Sequence, residues 1–184
     1  MNNSDVPRAQ SSRRLLFGFA LLVLLLTAGG ALSFLRYARR HAPNPQLVVV
    51  APFDIFVPGL ESWRVQLAER LTEELSATPP LTAVPQAVVR ERWQGQSRPE
   101  VAAVELARRT SAGAAIYGRI DPIDPTTDSV RANVIVADAS SSRVLFGVVV
   151  RWPARDPDTL ARRIADYVRS TYAPPSPGAS PRSP

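Results

Sequence analysis

The sequence contains no cysteine and no lysine, and it has a single histidine, His41. Without cysteine there is no disulfide framework, no thiolate nucleophile, no Cys-based zinc site and no iron–sulfur cluster. Without lysine there is no Schiff-base chemistry and no phosphate-loop lysine. One histidine leaves little material for a metal site or a catalytic triad. The chain also has no Gly-rich phosphate cradle and no serine in a nucleophile elbow. No cofactor and no metal are therefore expected. Arginine supplies all 22 basic residues among 184, alongside 18 prolines and abundant alanine, a composition that reads as GC-rich coding bias. The length suits one hydrophobic core with appendages.

The formal net charge of +6 is unevenly placed. Residues 1–45 carry six arginines and one acid, Asp5, whereas residues 46–172 carry fifteen arginines and fifteen acids and the tail adds only Arg182. The folded part is neutral. Nucleic-acid binding requires a concentrated positive surface, so it is not expected here.

From Leu15 to Leu35 the sequence reads LLFGFALLVLLLTAGGALSFL, without a charge. These residues, at about 1.5 Å rise each, span about 31 Å, the thickness of a bilayer's hydrocarbon core. Arg13 and Arg14 before it, and Arg36, Arg39 and Arg40 after it, are placed to snorkel to the headgroups, with Tyr37 as an interfacial aromatic. A cleaved signal peptide is the competing reading, because Ala31-Leu32-Ser33 offers small residues for cleavage. The run exceeds a signal core and Arg36 follows at once, which favours an uncleaved anchor; a twin-arginine export signal fits less well. The flanking charges nearly balance, and the short leading tail tips the orientation toward N-terminus inside. The expected organisation is a cytoplasmic tail (1–14), a transmembrane helix (15–35), a basic Pro-containing linker (36–45), an extrinsic domain in the periplasm (46–172) and a disordered Pro/Ser tail (173–184). The protein would then be a single-pass inner-membrane protein, with the lipid bilayer as a partner through residues 15–35.

Within the extrinsic part, Gln46 to Phe53 is a continuous apolar run, expected of a strand covered on both faces. Trp63, Leu67, Leu71 and Leu75 recur every four residues, predicting an amphipathic helix over 62–77 that Pro79-Pro80 ends. A short strand is predicted over 81–84, and one or two helical turns over 86–93. Ser97 and Glu100 form a capping-box pattern for an alanine-rich helix to about Ser111, with Gly113 placed to terminate it. Strands are predicted over 114–120, over 130–136 and over 144–152, the last with Phe146, Val148, Val150 and Trp152 on one face. Asp156-Pro157-Asp158 signals a helix start, followed by the stripe Leu160, Ile164 and Val168. The order β-α-β-(α)-α-β-β-β-α predicts an α/β fold with a mixed sheet of about five strands and three or so packed helices, the first three strands parallel and the last two an antiparallel meander.

The segments VVVAPF, LAERLTEELSATPPLTAV, ELARRTSAGAAIYGRI and VRANVIVADASSSRVLFG together resemble the amino-terminal domain of TolB and the related FlgO- and CsgG-type bacterial envelope domains. The resemblance covers about residues 46–172, and no β-propeller follows. It implies a non-enzymatic α/β module used for protein contacts in the cell envelope.

The remaining candidates for chemistry have plain alternatives. Asp121, Asp124 and Asp128 lack the glycine and bidentate Glu of an EF-hand loop and sit in turn-forming Asp-Pro contexts. Glu73 and Glu74 are adjacent on a helix and point apart. Trp63 and Trp152 fall on core stripes, whereas Trp93 sits outside any clear stripe beside Arg90 and Arg92, as an interface anchor or a satellite core contact. An open sheet edge is a further interface candidate. The expectation is a non-catalytic module that binds other membrane or envelope proteins, an accessory or scaffold subunit of a larger assembly, respiratory and photosynthetic ones among those it would suit. The alternative is an extracytoplasmic sensor holding a small molecule at the carboxyl ends of the parallel strands.

Overall fold

A computed structural model describes residues 43–94, 98–124 and 128–172. The predicted membrane segment 15–35, its flanking Arg13, Arg14, Arg36, Tyr37, Arg39 and Arg40, and the tail from 173 lie outside the described residues, as do His41 and Ser97. Among the described residues no helix is long and apolar enough to cross a membrane.

The elements in chain order are β1 (Asn44–Val50), β2 (Asp54–Ile55), α1 (Trp63–Ala77), β3 (Thr82–Ala83), α2 (Gln86–Arg92), α3 (Pro99–Arg109), β4 (Ala112–Pro122), β5 (Ser129–Asp138), β6 (Val144–Pro153) and α4 (Pro157–Thr171). The described residues thus form six strands and four helices, one of each more than the sequence suggested. The sheet runs β3-β1-β4-β5-β6, with β2 pairing β4 beyond the end of β1. β1 pairs parallel with β3 and β4, and β4, β5 and β6 form an antiparallel meander.

β1 begins two residues earlier than predicted, inside the expected linker, because the Asn44 N–H donates to Ser111 O at 2.8 Å. It ends at Val50 rather than Phe53, since Pro52 has no N–H to give the ladder. The chain bends there and resumes as β2. At the bend Gln86 Nε2 donates to Val50 O at 3.0 Å and to Thr72 Oγ1 at 2.8 Å, satisfying polar groups in a largely buried corner.

The N-cap of α3 is Arg98, which makes no side-chain cap bond, with Pro99 opening the helix; the Ser97 of the predicted capping box lies outside the described residues. That helix stops at Arg109, and Ser111, not Gly113, carries the positive φ of 56° that turns the chain into β4. Gly113 is a strand residue instead. An added Cβ there would lie 2.7 Å from Asn44 O and Pro45 Cα, so its lack of a side chain lets β4 pass close to the start of β1.

One face of the sheet is covered along its length by α1 and α4. Their stripes Trp63, Leu67, Leu71, Leu75 and Leu160, Ile164, Val168 bury against Val48, Val50, Ile116, Ile120, Val130, Val134 and Val136. Asp156 caps α4, accepting from the Thr159 N–H at 3.0 Å. The other face is covered by α2 and α3, whose Val89, Ala103, Val104, Leu106 and Ala107 pack on Val49, Ala51, Ala115 and Tyr117. At the end of α4 the Tyr172 hydroxyl donates to Pro45 O at 3.0 Å, tying the last described residue to the first strand.

Candidate functional site

The residues singled out by sequence, Arg90, Arg92 and Trp93, lie on α2 and at its C-cap. Arg90 pairs with Glu69 of α1 at 2.6 Å, and Arg92 donates to Arg109 O at the end of α3, also at 2.6 Å. Trp93 is half-buried against the smaller core under α2 and α3. All three therefore contact their own chain, and Trp93 takes the satellite-core position. Trp63 is buried in the main core, and Trp152 is half-buried against it, its indole N–H donating to Asp156 O at 2.9 Å.

Asp121 accepts from Asn133 Nδ2 at 2.7 Å and pairs with Arg119 at 3.1 Å, and among the described residues no group of three His, Asp or Glu side chains is placed to hold a metal. Glu74 is drawn into the seam between the two covering helices, where Arg162 of α4 approaches its carboxylate at 3.4 Å.

Two concave regions stand out. The first is a cleft of about 630 Å³ at the carboxyl ends of β1, with β2 and the starts of α1 and α3 around it, lined by Ile55, Phe56, Arg64, Glu100, Tyr117 and Arg119 among others. Its arginines are spent internally: Arg64 pairs with Asp54 at 3.3 Å and Arg119 with Asp121. Burial, reinforced by the Glu100 carboxylate, pushes the Tyr117 phenol above its ordinary pKa, so it is a protonated hydroxyl at neutral pH. No nucleophile beside a base lines this cleft.

The second region is the β5–β6 half of the sheet. On their face helices α2 and α3 cover β1, β4 and the Ala137 end of β5, and leave β6 and the rest of β5 open. Over β5 and β6 that face presents Arg131, Asn133 and Ile135, paired across the ladder with Arg151, Val149 and Gly147. Val149 is 64% exposed, Val144 59% and Leu145 46%. On the opposite face, between β6 and α4, runs a groove of about 620 Å³ lined by Val148, Val150, Trp152, Arg163, Tyr167 and Ser170 among others. The Arg163 guanidinium stacks over Trp152 at 5.8 Å, and Tyr167 meets Phe146 edge-on at 6.0 Å. An exposed apolar strand, open at the sheet edge and flanked by a groove, is a surface suited to a macromolecular partner. Sequence reasoning predicted β6 itself but not its place at the edge. The signal it passed over is the charge pattern of residues 143–155, with Arg143, Arg151 and Arg155 and no acid.

No family model matches the sequence, and no curated protein matches it. Similar folds are found among solved structures at low identity. TolB from Acinetobacter baumannii is 15% identical over 72% of this chain and 29% of its own, with a TM-score of 0.45. The lipoprotein GNA1162 from Neisseria meningitidis is 15% identical over 70% of this chain and all of its own, with a TM-score of 0.49. The C-terminal domain of LpoB from Salmonella enterica is 9% identical over 61% of this chain and 85% of its own, with a TM-score of 0.44.

Proposed function

We propose that the chain is a non-catalytic, membrane-anchored protein-binding module, an accessory or scaffold subunit of a larger envelope complex. Residues 15–35 hold it in the inner membrane with the N-terminus in the cytoplasm and the α/β domain in the periplasm. The observation that carries the binding role is the uneven covering of the sheet, which leaves apolar side chains of β6 in solvent where a helix would otherwise pack. The apolar run 15–35 and its arginine flanks support the anchor.

Native electrophoresis of a mild detergent extract, followed by mass spectrometry of the band containing this chain, tests the reading. A stoichiometric protein partner is the expected result; a chain that migrates alone overturns it. A protease added to intact spheroplasts checks the topology, digesting the domain and sparing residues 1–14.

The cleft at the carboxyl ends of the parallel strands favours a second reading, a ligand-sensing module. There the Tyr117 hydroxyl and paired charges border apolar Ile55 and Phe56, the mixture small-molecule sites present. A thermal-shift screen separates the two, because a sensor gains a higher melting midpoint with its metabolite and a scaffold does not.

A further inference from the structure

The edge of β6 offers a specific way to hold a partner. Ala154 N–H donates to Asp128 O at 3.1 Å. In an antiparallel ladder, residues exchanging hydrogen bonds with the neighbouring strand alternate with residues whose N–H and C=O point the other way. With the register Trp152↔Val130, Val150↔Ala132, Val148↔Val134 and Phe146↔Val136, the even-numbered residues of β6 face β5. The N–H and C=O groups of Gly147, Val149 and Arg151 are therefore turned outward. Since β6 ends the sheet, no strand among the described residues receives them.

Three features say what would complete this edge. The outward backbone groups form a row that an extended segment satisfies by strand addition. The groove between β6 and α4 lies on one side of that row, lined by Val148, Val150 and Tyr167, and takes apolar side chains of the added strand. On the other side Arg151 stands directly across from Arg131, and like charges so placed repel. Neither arginine makes an ion pair among the described residues. The alternation of a strand sends successive side chains to opposite faces. A segment with apolar residues at one parity and acidic residues at the other thus matches Val148, Val150 and Tyr167 of the groove and the arginine pair together.

We infer that the β6 edge captures an extended, alternating apolar and acidic segment of a partner protein, as a strand added alongside β6 with its apolar side chains in the groove toward α4. This deepens the protein-binding reading and rests on it. Charge argues against the other occupants. A second copy pairing edge to edge would bring another Arg143, Arg151 and Arg155 to a strand with no acid of its own, while Asp166 beside the groove is already paired with Arg169. The chain's own residues 173–184 contain five prolines and one arginine and no acid, so they offer few ladder donors and the wrong sign.

The test uses the full chain in detergent and two synthetic peptides of about seven residues, one alternating valine and glutamate, the other valine and lysine. Fluorescence anisotropy should show saturable binding of the glutamate peptide, with the amides of Gly147, Val149 and Arg151 gaining hydrogen-exchange protection. Binding should weaken at least about tenfold for Arg151→Glu and for Val149→Pro, which removes an outward N–H. A glutamate peptide N-methylated at alternate residues should also fail, and it probes the ladder even if Val149→Pro does not fold. The lysine peptide should not bind. Equal binding of both charged peptides, no binding of either, or full binding of the N-methylated peptide overturns the inference. So does a parent chain that sediments as a dimer and becomes monomeric on Val149→Pro, which would assign the edge to a second copy. A native complex with a stoichiometric partner that is indifferent to Val149→Pro and Arg151→Glu removes the strand-addition mode and leaves the protein-binding reading standing. A parent chain without any partner removes the reading itself.

Discussion

The β1–β4 and β5–β6 halves of the sheet are built from similarly apolar strands, yet they are finished differently. In β4, Ala114, Ala115 and Ile116 are fully buried, because helices press on both faces. In β6 the pattern alternates between half-buried and exposed, because α4 packs on one face only. Composition alone does not separate them: VLFGVVV in β6 is more β-branched and aromatic than AAIYG in β4. What differs is the supply of covering helices. The short α2 and α3 reach across β1 and β4 to the Ala137 end of β5 and leave β6 uncovered. One half of the sheet is finished by its own chain, and the other is left for something else to finish.

Substitution should reveal this contrast most strongly in the core. Leu71→Ala, under the fully covered face, is expected to cost about 2–5 kcal/mol in unfolding free energy, whereas Val149→Ala should fall within about 0.5 kcal/mol of the parent. Urea midpoints at unchanged slope measure both. Two strand glycines sharpen the comparison. A Cβ on Gly118 of β4 would sit 2.4 Å from Asn133 O and 2.9 Å from Phe53 Cε1, so Gly118→Ala should cost about 1–3 kcal/mol. On Gly147 of β6 the nearest atom, Val134 O, is 3.4 Å away, and Gly147→Ala should change stability by no more than about 0.5 kcal/mol. Equal costs at the two glycines would remove the distinction between the halves.

Arg108 links them. From α3 its Nε donates to Ala139 O and an Nη to Ser142 Oγ, both at 2.7 Å, clamping the β5–β6 turn to the covered half. Arg108→Ala should cost about 0.5–1.5 kcal/mol, with hydrogen exchange rising at the turn rather than in β4. The smallest effect is electrostatic. The Thr159 N–H holds the Asp156 carboxyl below its ordinary pKa. Burial would raise that of Asp138, but hydrogen bonds from Ser140 and Ser141 outweigh it and bring the value down. A carboxyl depressed on folding contributes stability above its unfolded pKa and loses it as pH falls through the folded one. Asp156→Ala should therefore lower the melting midpoint by about 2–4 °C at neutral pH, a difference that shrinks as pH falls below the ordinary carboxylate range. A difference that persists in acid would contradict the cap's role.

Much of this fold was legible because its strands and helices carry strong periodic patterns. The four-residue spacing of Trp63, Leu67, Leu71 and Leu75 and the Asp156-Pro157 start led directly to α1 and α4. The misses have physical causes. β2 is two residues long and exists only because Pro52 bends the chain onto the far end of β4. Gly113 carries the local signature of a helix stop, whereas close approach to Asn44 and Pro45 explains it, a contact between segments far apart in sequence. Trp93 offers the same local context for an interface as for a core, and its half-burial under α2 and α3 comes from contacts that no local pattern encodes. The candidate surface was hidden for a related reason. Periodicity gives a strand's two faces, but its position within the sheet is set by pairings that no local pattern encodes.

The bond from the Tyr172 hydroxyl to Pro45 O joins the two places where the polypeptide enters and leaves the domain. A fold closed at a single seam behaves as a cassette, with its first strand and its last helix meeting at one spot. The domain can then be exchanged between chains, or spliced into a loop of a host protein, without rethreading its topology.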